Sequence, residues 1–221
     1  MRKGNKKTLV SLLVIPLLFL YGCATVPVIP PMALDQSYFQ KTQILLINCQ
    51  ASEYGGFHTD AQGGIVGMVA DATRAQKLKE AIKPINATYI RHKVVSDVKT
   101  TLEPVFDNIK LAEGTTNLTL QPGELLLIVN VSEWKINLST GAFGLKFGNY
   151  TTMMKGKAQI TNEKGEVVFR TTFEVNTVLG DTLEGLIKDD GKVIKEAINE
   201  NINKIISAVT GALKSTAPTE L

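Results

Sequence analysis

The sequence predicts an α+β fold, a two-layer sandwich in which an antiparallel sheet of about four strands packs against two to three helices. Three observations predict it. Residues 44–47 form an apolar run short enough for a buried strand, residues 150–177 alternate around a glycine turn, and residues 191–213 carry a long apolar stripe at helical spacing. The order of strand, helices, three successive strands and closing helix favours segregated layers.

The first predicted strand covers residues 42–49 and ends at Cys49, which we interpret as a small buried apolar residue. The glycines Gly63, Gly64 and Gly67 follow. They predict either a loop leading into the first turns of a packed helix, which we favour, or a segment that contacts a partner or the membrane.

Two helices follow these glycines. The first ends near Ile82, because Pro84 cannot continue it, and the second covers residues 87–102, where apolar residues recur every three to four positions. His92 falls on the polar side of the second helix, and we give it no catalytic role.

Three consecutive strands are predicted next. In residues 123–138 the apolar side chains change sides near Ser132 and Glu133, which indicates a bulge or a strong twist. Residues 150–161 and 166–177 flank a turn that begins at Asn162 and ends at Gly165, the pattern of a hairpin with a type I turn.

The glycine-rich connection before this hairpin carries Phe143, Leu145 and Phe147. Two interpretations stay open. These side chains form an exposed apolar tip that contacts a partner or lipid, or they fold back as a lid over one end of the core.

The final helix is predicted over residues 191–213, with its apolar stripe packed on the sheet. Asp189 and Asp190 precede it, and acids at that position are typical of helix capping. Residues 215–221 are predicted to be a flexible tail.

The start of the chain predicts an export signal. Arg2, Lys3, Lys6 and Lys7 precede an apolar run at residues 9–20, which is shorter than the roughly 20 residues needed to span a bilayer. The sequence Leu20-Tyr-Gly-Cys23 then resembles the lipobox of bacterial lipoproteins, with cleavage between Gly22 and Cys23, although Tyr21 stands where a small residue is usual. This resemblance implies covalent diacylglycerol and N-acyl chains on Cys23, and Ala24 after it implies delivery to the outer membrane.

These signals predict four regions. Residues 1–22 are the lipoprotein signal peptide, residues 23–40 are the lipidated cysteine and a proline-rich tether, residues 41–214 are one α+β domain, and residues 215–221 are the tail. We expect the domain to face the periplasm, held at the outer membrane by its acyl chains.

Charge and motifs exclude several function classes. Without residues 1–22, Lys plus Arg falls from 24 to 20 against 21 Asp plus Glu, a net charge of −1, which gives no electrostatic support to nucleic-acid binding. The sequence has no nucleophile elbow, phosphate loop or dinucleotide fingerprint, and His58 and His92 lack metal-ligand spacing. We therefore predict no enzyme activity, no metal and no cofactor beyond the lipid on Cys23.

The lipobox, the tether, the strand with Trp134, the glycine-turned hairpin and the final amphipathic helix together resemble small envelope lipoproteins of the lipopolysaccharide-assembly and transport-auxiliary type. The resemblance implies a non-catalytic accessory or scaffold component with an envelope protein partner. Two alternatives stay open, a lipid-binding or small-hydrophobe-binding envelope module and a surface-exposed lipoprotein with an extracellular role.

Overall fold

A computed structural model of the 221-residue chain describes residues 30–59, 64–112, 118–138, 149–180 and 182–217. The elements in chain order are α1 Gln36–Lys41, β1 Ile44–Ala51, β2 Phe57–Thr59, α2 Gly64–Ala81, α3 Ala87–Leu102, β3 Ile109–Leu111, β4 Glu124–Leu138, β5 Tyr150–Thr161, β6 Val167–Gly180 and α4 Leu183–Lys214. The α+β class is confirmed, and α3 has the predicted bounds.

The sheet is mixed, with strand order β3-β1-β4-β5-β6, and the short β2 pairs with β4 beyond the end of β1. Strands β4, β5 and β6 form the predicted antiparallel meander. The predicted sheet is antiparallel, with about four strands. This prediction is wrong for β1 and β3, because β1 runs parallel to both β3 and β4. The connection through α2 and α3 is a crossover that returns the chain to the end of the sheet where β1 begins, which makes β3 parallel to β1. After β3 the chain returns to the same end again, since β4 begins opposite Ile44, and β4 is therefore parallel to β1 as well.

A bulge in β4 places the apolar residues Val129, Val131, Trp134 and Ile136, before and after it, on the same side of the sheet. The register with β5 shifts between Val131 and Glu133, as the sequence predicts. Because one extra residue reverses the alternation, Val129 and Val131 before the shift and Trp134 and Ile136 after it are all almost fully buried. We call this side the inner face and the opposite side the outer face.

Helices α3 and α4 cover the inner face. Helix α3 packs on β1, and α4 packs on β5 and β6. The buried residues of α3 recur every three to four positions, namely Ala87, Ile90, Val94, Val98 and Leu102. Full burial of one such aliphatic side chain stabilises the fold by about 1.5–3 kcal/mol, so this stripe accounts for the position of the helix.

Helix α4 begins earlier than predicted and is interrupted. Its cap is Thr182, whose side chain accepts a hydrogen bond from the Gly185 N–H, and the backbone is non-helical over residues 188–191. Asp189 and Asp190 have positive φ angles rather than the extended backbone typical of a cap, so the capping interpretation of these two acids is wrong. The sequence missed the first segment because a helix of little more than one turn leaves no periodic pattern.

The chain before β1 also packs on the domain. The residues from Pro31 onwards form one compact unit, in which Leu34 is buried and the Phe39 ring stacks on Phe106 with centroids 5.3 Å apart. Leu34 and all of helix α1 except Lys41 fall within the range predicted as a tether, residues 23–40, whose first part lies outside the described residues.

Candidate functional site

Most of the predicted contact residues lie outside the described residues. This applies to the cleavage and lipidation residues Gly22 and Cys23, to Gly63, and to the apolar set Phe143, Leu145 and Phe147. Gly64 and Gly67 lie in the first turns of α2, so the expected helix after the glycine segment is confirmed. Their roles as contact residues stay predictions.

The described residues that flank the predicted contact segments meet at one end of the sheet. Leu138 pairs with Tyr150, and these residues flank the segment that contains Phe143. Thr59, which precedes Gly63 and Gly64, also pairs with Leu138. The Phe57 ring stacks on Tyr150 with centroids 6.0 Å apart. Both candidate segments are therefore joined to the same end of the sheet.

An open cleft of about 630 Å³ lies between the end of α2 and the break in α4. Its lining carries charges of both signs, from Lys77, Lys83 and Lys195 and from Glu80 and Asp190. Such mixed charge in an open cleft selects neither an anion nor a cation strongly.

Gly191 determines how closely the two helices approach at this cleft. Its φ is +70°, and a Cβ placed on it would lie 2.9 Å from the Ala81 carbonyl oxygen. Only glycine fits this position without strain, so the break in α4 is fixed by the contact with α2.

A polar anchor inside the domain fixes α4 on the sheet. Asn201 is fully buried, donates from Nδ2 to Thr152 Oγ1 at 2.7 Å, and accepts from Thr177 Oγ1 at 2.9 Å. Lys204 donates to the same Thr177 oxygen at 2.9 Å and forms an ion pair with Glu200 at 2.7 Å. Because each of these polar groups has a partner, this anchor specifies the position of the helix rather than leaving a reactive group.

Cys49 and His92 are two side chains whose chemistry depends on their surroundings. Cys49 is only 4% exposed, and burial raises the pKa of its thiol to about 12, so the nucleophilic thiolate is absent at neutral pH. The interpretation of Cys49 as a small buried residue is confirmed. His92 is exposed on α3, as predicted, and within the described residues no three His, Cys, Asp or Glu side chains are grouped to hold a metal ion.

The outer face carries polar and charged side chains across four strands. At its centre Glu133 forms ion pairs with Lys135, at 2.9 Å, and with Lys155. The hydrogen bond from Lys155 is the largest cause that holds the pKa of the Glu133 carboxyl below its usual value, and Lys135 adds to it. Lys157 and Glu174 continue the surface on either side of this cluster.

Sequence reasoning missed this surface. The alternation of apolar and polar residues in residues 166–177 indicates a mostly polar face on β6 alone. The width of the face depends on the pairing of β4 with β5 and of β5 with β6, and on the bulge that brings Glu133 beside Lys155. Periodicity within one strand does not contain that information.

No protein-family model matches the chain, and no curated protein matches it in sequence. Solved structures with some likeness include a minor lipoprotein from Acinetobacter baumannii, which is 11% identical with a TM-score of 0.41 and is matched over 78% of this chain and 91% of its own. A DUF330 protein from Xanthomonas campestris is 11% identical with a TM-score of 0.39, over 79% and 88% of the two chains. Lipoprotein GNA1162 from Neisseria meningitidis is 17% identical with a TM-score of 0.24, over 72% and 97%.

These values are too low to assign the chain to the family of any of the three proteins. None of the three is described as a lipopolysaccharide-assembly protein, so the resemblance to that type stays a prediction.

Proposed function

We propose that this protein is a membrane-anchored lipoprotein, acylated on Cys23, whose α+β domain is a non-catalytic accessory or scaffold component in envelope assembly or transport. The domain lies in the periplasm at the outer membrane and binds an envelope protein through the outer face of its sheet.

The observation that carries this proposal is the contrast between a filled interior and an outer face that carries exposed charged groups. Leu127, Ile198 and Ile202 lie between the layers and have no exposed surface. Binding of an acyl chain there would require the layers to separate and these contacts to be lost. The outer face presents the ion pairs of Glu133 and the ammonium of Lys157, charged groups that can select a partner through electrostatic complementarity.

The anchor is supported by the lipobox and by the helices that the structure describes. Among them, none combines the length and apolar character needed to cross a bilayer. The acyl chains on Cys23 supply the membrane attachment in this proposal, in keeping with the charge of −1 that remains after cleavage.

The anchor is tested by metabolic labelling with palmitate. The wild-type chain is expected to take up label and to fractionate with the outer membrane, and Cys23→Ser is expected to lose both. Labelling that survives in Cys23→Ser would contradict the anchor on that residue. Clipping of the domain by protease added to intact cells would instead favour display outside the cell.

The partner is tested by brief crosslinking in cells, isolation of the full-length protein in mild detergent, and mass spectrometry. We expect one envelope protein in near-equal amount, reduced at least tenfold by Lys157→Glu on the outer face. The matched control is Lys79→Glu, which changes the same charge on the exposed surface of α2. Recovery of only the monomer and a bound lipid would overturn the proposal in favour of a lipid-binding module.

A further inference from the structure

Strand β6 forms one edge of the sheet, and within the described residues only the first part of that edge has a backbone partner. Arg170 exchanges two backbone hydrogen bonds with Met32, of 2.8 and 2.9 Å. The backbone N–H and C=O groups of Arg170 therefore point away from β5, towards the edge of the sheet. Because β6 continues without a register shift to Val178, the backbone groups of Thr172, Glu174, Asn176 and Val178 point to the same edge.

This stretch of edge lacks the usual protection against strand pairing. In the part of the chain that the structure describes, the only partner of its edge-facing backbone groups is the Lys204 ammonium, 2.8 Å from the Asn176 carbonyl oxygen. Residues 171–180 contain no proline and no lysine, and Val178 is 63% exposed. The opposite edge, β3, is protected because it has only three residues, one of them Lys110.

We propose that this free edge of β6 pairs antiparallel with the same edge of a second copy of the chain, so that the two sheets become continuous. The two-fold axis passes beside Val175. Thr172 then lies opposite the partner's Val178, and Glu174 lies opposite the partner's Asn176. An interface of this kind is isologous, since each pair occurs twice.

The limits of the free edge determine this register. On one side it ends at Arg170, where Met32 occupies the backbone groups, and on the other side it ends with the strand at Gly180. Both limits are equally far from Val175. Only a two-fold axis at Val175 therefore pairs the whole free edge with itself.

The charge on the edge supports the same register. Glu174 is the only charged residue in residues 171–180. In the proposed register it lies opposite the amide side chain of the partner's Asn176. Moving the axis to Glu174 would place two carboxylates directly opposite each other and would direct the partner strand onto Met32, and like charges at opposed positions are destabilising.

Lys204 must release the Asn176 carbonyl oxygen before the strands can pair. Its ammonium keeps Thr177 Oγ1 and Glu200 as partners, so the release removes one of its three contacts. We expect Lys204→Met to raise the association constant of the two edges about fivefold, which corresponds to the free energy of roughly one net hydrogen bond.

The test is cysteine crosslinking of the full-length chain in cells. Thr172→Cys and Val178→Cys are introduced together, and a mild oxidant is added. In the proposed register their Cα atoms lie about 5.5 Å from the partner's, within the range of about 4.4–6.8 Å that a disulfide bridges. We expect a disulfide-linked dimer on a non-reducing gel, while the native Cys49, which is buried, does not crosslink.

The matched control is Thr172→Cys with Asn176→Cys, which places two cysteines on the same edge in the register centred on Glu174. We expect at least tenfold less dimer from this pair. Equal crosslinking of both pairs, or none from the first pair, would overturn the proposal.

A second variant separates pairing from folding. Glu174→Pro removes an edge-facing N–H without removing a bond to β5, and proline is tolerated at such positions on edge strands. We expect Glu174→Pro to show a cooperative thermal unfolding transition, as a folded protein does, and to sediment as a monomer. Lys204→Met is expected to shift sedimentation towards the dimer. A monomeric wild-type chain that Lys204→Met leaves unchanged would contradict the proposal, and it would leave the envelope-partner function untouched.

Discussion

The two faces of the sheet are built on opposite principles. On the inner face, Leu127 and Val129 have no exposed surface and are covered by helices. On the outer face, β4 carries partly exposed residues, both apolar, such as Ile128, and charged, such as Glu133. The difference indicates that the inner face determines stability, while the outer face is free to carry contacts with other molecules.

Polar groups show the same contrast. Asn201 on the inner side is buried, so each of its hydrogen bonds must be made within the protein. Glu133 on the outer side is paired with lysines that water can also reach. Loss of a partner therefore costs much more inside than outside, because only the inner group is left without solvent.

The largest effect is expected at Gly156, where β5 crosses the bulge of β4. A Cβ at this position would lie 1.9 Å from the Asn130 carbonyl oxygen and 2.8 Å from the Phe173 ring. Because a backbone atom cannot move aside cheaply, Gly156→Ala is expected to lower the free energy of unfolding by about 3 kcal/mol or more. Chemical denaturation monitored by circular dichroism measures it.

Gly211→Ala is the matched control for this prediction. Gly211 is exposed in α4, and a Cβ there meets nothing within 4 Å. Alanine is a better helix former than glycine, so this change is expected to stabilise the protein by about 0.5–1 kcal/mol. Equal destabilisation by the two substitutions would contradict the close approach at the bulge.

The next effect is expected at Asn201. Asn201→Ala leaves the hydroxyl groups of Thr152 and Thr177 without the Asn201 amide as a partner. We expect the free energy of unfolding to fall by about 2–3 kcal/mol. The control is Asn199→Ala, two residues earlier on α4, which removes the exposed hydrogen bond from the Tyr89 hydroxyl at 2.6 Å. We expect this variant to lower the free energy of unfolding by less than about 1 kcal/mol. Thermal unfolding of both variants gives the difference, and similar losses would show that burial does not decide the cost.

A smaller effect compares two adjacent residues of β4. Val129→Thr places a hydroxyl among buried apolar groups at almost unchanged volume, with an expected cost of about 2 kcal/mol. Ile128→Thr makes a similar change on the outer face, where the hydroxyl reaches water, with an expected cost below about 1 kcal/mol. Urea denaturation of the pair measures the difference between the faces directly, and a larger cost for Ile128→Thr would reverse their assignment.

Much of the fold could be predicted because its signals are local. The hairpin around Gly165, the bulge after Val131 and helix α3 each follow from the spacing of apolar residues within one segment. The direction of β1 relative to β4 could not be predicted in the same way, because it depends on which end of the sheet the crossover reaches. The break in α4 depends on the contact between Gly191 and Ala81, which are far apart in sequence.

The candidate surfaces were less predictable than the fold. The burial of Cys49 and the exposure of His92 could be predicted from the pattern around them. The charged outer face and the free edge of β6 required strand pairing, since a sequence does not show which strand ends a sheet. Met32 illustrates this limit, because nothing in the proline-rich sequence around it indicates a bridge to Arg170.

The smallest effect concerns the ion pairs of Glu133 on the outer face. The hydrogen bond from Lys155, and then that from Lys135, lowers the pKa of this carboxyl in the folded protein. The resulting stabilisation is present above the unfolded pKa of about 4.3 and is lost as the pH falls through the lower folded pKa. Because the ion pairs of Glu133 are near the surface, we expect them to stabilise the folded protein by less than about 1 kcal/mol at pH 7.

Calorimetry of wild type and Glu133→Gln at pH 7 and at pH 3 tests this prediction. At pH 7 the variant is expected to melt at most about 2 °C lower, and at pH 3 the difference should be smaller, because protonation of the carboxyl removes the ion pairs as the pH falls. Other carboxylates titrate in both proteins and cancel in the difference. A difference that persists unchanged at pH 3 would mean that Glu133 stabilises the fold by packing, in which case the outer face would contribute to stability in the same manner as the inner one.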